Sequence, residues 1–185
     1  MSNGRIALVM LLILCVVALA TGAALARHSL NTSQAHPAAA VTTPSSANPG
    51  RCHSSNGLPD PICTPGAIDP HVNQGNIQST ICVSGYTTKV RPSTDYTNAL
   101  RRRQIVEYGY TDTNLADYEE DHLIPLELGG SPTDPKNLWP EPRNGSNPAS
   151  KKDGVENSLH IKVCAGLVSL AIAQVSIATN WESAA

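Results

Sequence analysis

Hydrophobic and polar positions alternate differently in three stretches of the chain. Ile6 to Ala26 is an almost unbroken apolar run with Arg5 just ahead of it. That is the layout of a charged n-region followed by an h-region, and Ala24-Leu25-Ala26 puts small residues where an export peptidase reads. A run of this length is also about what spans a bilayer. Residues 1–26 therefore read as a signal peptide cleaved after Ala26, or as an uncleaved membrane anchor. Residues 27–50 carry almost no large apolar side chain and are rich in Ser, Thr, Ala, Pro and Asn. Such a stretch buries too little surface to offset the entropy of ordering and reads as a flexible linker. Residues 51–185 have the size of one small domain.

Inside that domain the pattern predicts an α+β fold. Residues 51–90 are dense in Pro, Gly, Asn and Cys, with turn signals at Asn56-Gly57, Pro59-Asp60-Pro61 and Pro65-Gly66. One short strand is predicted at Thr80-Ile81-Cys82-Val83. Ser93-Thr94-Asp95 caps a helix that Gly109 stops, with Tyr96, Leu100, Ile105 and Tyr108 on one face. Tyr118 to Leu126 reads as a strand closed by Gly129-Gly130 and a Ser131-Pro132 turn. Asn137-Leu138-Trp139 reads as a short return strand, which Pro140 and Pro142 break. Ser150 caps a helix from Lys151 to Cys164 that ends at Gly166. Ser169 opens a last helix whose apolar contacts come from Leu170, Ala173, Val175, Ile177 and Trp181.

Composition adds a covalent frame. Cys15 lies in the apolar run behind Leu14, which leaves Cys52, Cys63, Cys82 and Cys164 in the domain. An even count in an exported small domain favours disulfides over thiols, and no C-x-x-C pair marks a zinc knuckle. Of three possible pairings, Cys52–Cys63 and Cys82–Cys164 are favoured: a short local loop, and a tie from the front of the domain to its late helices. The expected location is secreted or extracytoplasmic, with membrane contact only through an uncleaved N-terminal segment, and the expected state is a monomer. Charge argues against a strong nonspecific nucleic-acid binder, which usually carries a basic surface. The chain has 13 basic and 15 acidic residues, and Arg101-Arg102-Arg103 is its only dense basic run. Arg102 in that run reads as a solvated helix position or as a phosphate contact.

Candidate chemistry gathers after Tyr118. Hydrolysing a phosphodiester takes a base to activate water and a divalent metal to hold the charge that builds on phosphorus and leaving oxygen. Asp121-His122 supplies an acidic ligand beside an imidazole. Regular strand neighbours face opposite ways, so both serve one site only at a strand end or distortion. Asn137 is placed to fix the loop behind the base. On the following helix Asp153, Glu156, Asn157 and His160 share a face and offer a further ligand.

The stretch Asp121-His122-Leu123-Ile124-Pro125-Leu126-Glu127-Leu128-Gly129-Gly130, followed by Asn137-Leu138-Trp139-Pro140-Glu141, resembles the HNH (His-Me finger) endonuclease motif. From about Pro59 onward the chain also resembles exported bacterial HNH-like proteins with a later Lys-Asp-x-x-Glu-Asn helix, here Lys152 to Asn157. The resemblance implies a ββα-metal core with flanking helices and one divalent ion, Mg²⁺ or Mn²⁺. It implies Asp121 as metal ligand, His122 as general base and Asn137 as the structural Asn of the base's loop. The third motif position falls on Asn157, with His160 as its rival. Arg143 is a further possible phosphate contact. The expected substrate is nucleic acid, DNA before RNA, cut with low sequence specificity. The competing expectation is a non-catalytic extracellular binding or envelope-associated module that keeps the ββα scaffold for stability.

Overall fold

The computed structural model describes residues 48–184. The signal or anchor segment, Cys15 and most of the linker lie outside the described residues. Among the described residues no helix is long and apolar enough to cross a membrane.

Among the described residues the domain is α+β, with four α-helices and one two-stranded antiparallel sheet. Helix α1 (Tyr86–Val90) is a single short turn of helix. Helix α2 (Thr94–Glu107) starts at Ser93, whose hydroxyl accepts from the Tyr96 amide. Strands β1 (Tyr118–His122) and β2 (Leu138–Pro142) pair from Tyr118↔Pro142 to His122↔Leu138. Helix α3 (Ala149–Cys164) follows, and then α4 (Leu170–Asn180), capped by the Ser169 hydroxyl on the Ile172 amide.

Several sequence expectations shift in the structure. Thr80–Val83 is not a strand. A 3₁₀ turn at Ile77–Ser79 feeds hydrogen bonds from the Thr80 and Cys82 amides to the Ile77 carbonyl, and this coils the chain so that Ile81 turns into the core. The first strand stops at His122 instead of reaching Leu126, because Leu126–Leu128 turns as a 3₁₀ helix. The return strand continues through Pro140 and Pro142. In the antiparallel ladder the odd-numbered positions of β2 exchange bonds with β1, as the Arg143 amide to the Asp117 carbonyl and the Leu123 amide to the Asn137 carbonyl show. Pro140 and Pro142 fall on the alternate register, where no ladder bond needs an N–H. Helix α3 begins at Ala149 with Pro148 at its N-cap, two residues before the expected Ser150 cap.

The main core packs α3 and α4 against the β1–β2 loop, with Ile124, Leu128, Leu159, Val163, Leu170, Ala173, Ile177 and Trp181 at its centre. Each of the Leu, Ile and Val side chains contributes roughly 1.5–3 kcal/mol on leaving water. Val175, expected in this core, is 66% exposed, since it faces away from Ala173 and Ile177 on α4. A second cluster joins Cys52, Tyr108 and Trp139. Two disulfides hold the periphery: Cys52–Cys63 in the lead-in, and Cys82–Cys164, which ties the lead-in to the end of α3. Disulfides of this kind belong to an oxidising, extracytoplasmic environment.

Candidate functional site

The loop between the strands is built around Asn137, which is fully buried. Its Oδ1 accepts from the Ile124 amide at 3.0 Å, while its Nδ2 donates to the carbonyls of Ile124 (2.9 Å) and Ser131 (3.0 Å). One side chain thus replaces the ladder where the strands have separated. Gly130 passes so close that a Cβ there would lie 1.7 Å from the Ile124 carbonyl oxygen and 2.8 Å from Asn137 Nδ2. Gly129 adopts the left-handed φ of +72° that ends the Leu126–Leu128 turn. The Gly-Gly pair is therefore a requirement of close approach and of turn geometry.

This loop fixes His122, the last residue of β1. Its Nε2 lies 3.1 Å from the Pro132 carbonyl oxygen. A carbonyl only accepts, so Nε2 carries the proton and Nδ1 keeps the lone pair. Nδ1 has no partner among the described residues and is not one of their sealed, unpartnered polar atoms. Burial lowers the imidazole pKa below the ordinary histidine value, against the opposing pull of the Pro132 carbonyl and the Asp121 charge. The ring is a neutral base at physiological pH.

Asp121 precedes His122 on β1, with its carboxylate turned to α3. Its Oδ2 meets the ammonium of Lys152 on α3 at 2.7 Å. Lys152 is 1% exposed and also donates to the His122 carbonyl at 2.9 Å and to Glu156. Its charge survives burial because the carboxylates of Asp121 and Glu156 lie against it. Glu141 is fully buried with neither oxygen hydrogen-bonded, and burial pushes it up to about 10, so it is a neutral acid at pH 7. On the opposite sheet face burial pushes Glu120 up to about 9.

The other expected residues lie elsewhere. Asn157 donates to the Asp153 carbonyl of its own helix. His160 meets the Ile81 carbonyl at 2.9 Å, beside the Cys82–Cys164 disulfide. Arg143 pairs with Glu119 at 2.9 Å and reaches the Tyr118 carbonyl, so it braces the sheet edge. Arg102 is exposed on α2. Sequence reasoning missed Lys152 as the partner of Asp121. It also missed Arg91, whose positive charge acts on His122, Glu119, Glu127 and Asp153 together. Arg91 carries no local mark in the sequence, and Lys152 stands in the quoted helix motif without a sign that it faces inward.

Among the described residues one trio of His, Cys, Asp or Glu brings its ligand atoms within 4.8 Å of one another: Cys82, His160 and Cys164. Its two sulfurs are bonded to each other, so it offers no thiolate to a metal until reduced. Asp121 and Asp153 are the carboxylates that could hold a hard divalent ion. Asp121 Oδ1 has no partner among the described residues and is not sealed. Asp153 is exposed on α3, and the Asp121 charge helps to raise its pKa after burial does. Mg²⁺ and Mn²⁺ need only one or two protein carboxylates and keep several waters. Comparison with known protein families, curated proteins and solved structures gives no match to this chain.

Proposed function

We propose that this domain is an exported, metal-dependent endonuclease of the HNH type, hydrolysing phosphodiesters of nucleic acid, DNA before RNA, with low sequence specificity. The observation that carries the reading is the His122–Pro132 contact held by Asn137. It leaves a neutral imidazole with its lone pair on Nδ1 at the end of a strand, where a base for water is required. His122 Nδ1 takes the proton from the attacking water, and the Pro132 carbonyl steadies the imidazolium that forms through Nε2–H. Asp121, with Asp153 beside it, would hold Mg²⁺ or Mn²⁺. The ion would supply charge neutralisation at phosphorus and the leaving oxygen. Lys152 orients Asp121 and leaves it one free oxygen. On this geometry Asp153 takes the helix position that the resemblance gave to Asn157 or His160.

A second reading has its own support. Lys152 already neutralises Asp121, so the ββα unit is electrostatically complete without an ion and suits a non-catalytic extracellular module. Incubation of supercoiled plasmid with the oxidised chain in Mg²⁺, Mn²⁺ or excess EDTA separates the two. The nuclease nicks with metal and stops in EDTA; a folded protein inert with every metal is the binding module.

A further inference from the structure

A cavity of about 490 Å³ opens between the Cys52–Cys63 loop, helix α2 and the Pro135–Lys136 turn. Its charge is unlike that of the rest of the chain. Arg51, Arg103 and Lys136 line it against the single carboxylate of Glu107, so three cations face one anion in a protein whose net charge is −2. Glu107, with a side chain only 13% exposed, lies 3.7 Å from both guanidiniums and holds them on one wall. Lys136 is fixed from behind, since its amide donates to Asp134 and the next residue is the buried Asn137. Ile62 stands at the rim, 89% exposed, an apolar surface beside the cations. A concavity of this size suits a small polar group, and its excess charge selects an anion.

The cavity and His122 lie on one loop. Residues Ser131 to Lys136 carry the carbonyl that orients His122 at Pro132, and the cavity wall at Pro135 and Lys136. Gln104 of α2 spans this loop and the sheet, its Nε2 donating to the Pro135 carbonyl at 3.5 Å and to the Leu138 carbonyl at 2.7 Å.

We infer that this cleft is a second phosphate-binding site, which seats a backbone phosphodiester of the nucleic acid some way along the strand from the bond to be cut. The inference rests on the nuclease reading. Arg51, Arg103 and Lys136 take the phosphate oxygens, while Ile62 meets the adjoining sugar or base. The site anchors the substrate without reading sequence, because its contacts are to the backbone.

The test is fluorescence anisotropy of a labelled DNA duplex with the full oxidised chain in EDTA, where no cleavage competes. The double variant Arg51→Ala/Lys136→Ala should bind roughly tenfold more weakly, with the slope of log K against log salt shallower by about 2, or one per lost phosphate contact. Lys162→Ala, on α3 and outside the cleft, should bind as wild type does. Unchanged affinity and salt slope in a double variant that melts like wild type would overturn the inference. So would displacement of the duplex by inorganic phosphate at micromolar concentration, which would make this a free-phosphate pocket. Failure of the nuclease reading looks different: no cleavage with any metal, while the double variant still loses DNA.

Discussion

Asn137 and Lys152 each satisfy several buried groups with one side chain, and both are therefore expensive to replace. Asn137→Ala strands the Ile124 amide and the Ile124 and Ser131 carbonyls away from water. At roughly 1–3 kcal/mol for each unsatisfied buried group, with some relaxation, the expected loss is about 2–4 kcal/mol in urea unfolding. Lys152→Met leaves Asp121 and Glu156 buried without a counter-charge. Breaking such a pair costs about 3–5 kcal/mol, so this variant should show the larger fall in denaturation midpoint. A cost below 1 kcal/mol for either would mean that its contacts are not what holds the loop or α3 in place. The place of Asn137 behind the loop was legible from the Gly-Gly turn and spacing. Lys152 was not: Lys151-Lys152-Asp153 has the composition of a solvated first turn, and only the docking of α3 against β1 turns one of its lysines inward.

Elements were legible where periodicity and punctuation agreed. Helices α2 and α4 start at their Ser caps as expected, because a hydroxyl ahead of a helical pattern meets a local need. The β-branched run at Thr80–Val83 misled, since the Cys82–Cys164 bond and a 3₁₀ turn decide that backbone from a distance. The prolines of β2 misled in the opposite sense, because their tolerance depends on which edge of a two-stranded ladder they face. The lead-in is held to α2 and the sheet by tyrosines: the Ser54 hydroxyl pairs with Tyr110, whose ring stacks on Tyr118 at 5.0 Å. Burial pushes Tyr110 up to about 12 and Tyr108 higher still. A folded pKa above the unfolded value of about 10 means this stabilisation is complete below pH 10 and lost as pH climbs through about 12. Urea midpoints should therefore fall between pH 9.5 and 11.5 by more in wild type than in Tyr110→Phe; equal slopes would show that the phenol is already solvated.

Across the whole molecule the two disulfides do unequal work. Cys82–Cys164 closes a separation of 82 residues and Cys52–Cys63 one of 11. Loop-closure entropy gives about 4.5 kcal/mol for the first and about 3 kcal/mol for the second. Cys82→Ala/Cys164→Ala should thus lower the melting temperature more than Cys52→Ala/Cys63→Ala; the reverse order would place the stabilisation in the lead-in. Charge is also divided at this scale: carboxylates crowd the α3 side of the sheet, and the cations of the cleft gather by α2. Whole-chain composition hid that division, because a net charge of −2 averages over both faces. The central claim is that the strand end presents a base, and cleavage of supercoiled plasmid by His122→Ala beside wild type tests it most directly. With Mg²⁺ or Mn²⁺ present the variant should melt like wild type and cut roughly 10²–10⁴-fold more slowly, as loss of a general base requires. Cleavage at the wild-type rate by folded His122→Ala protein would contradict the account.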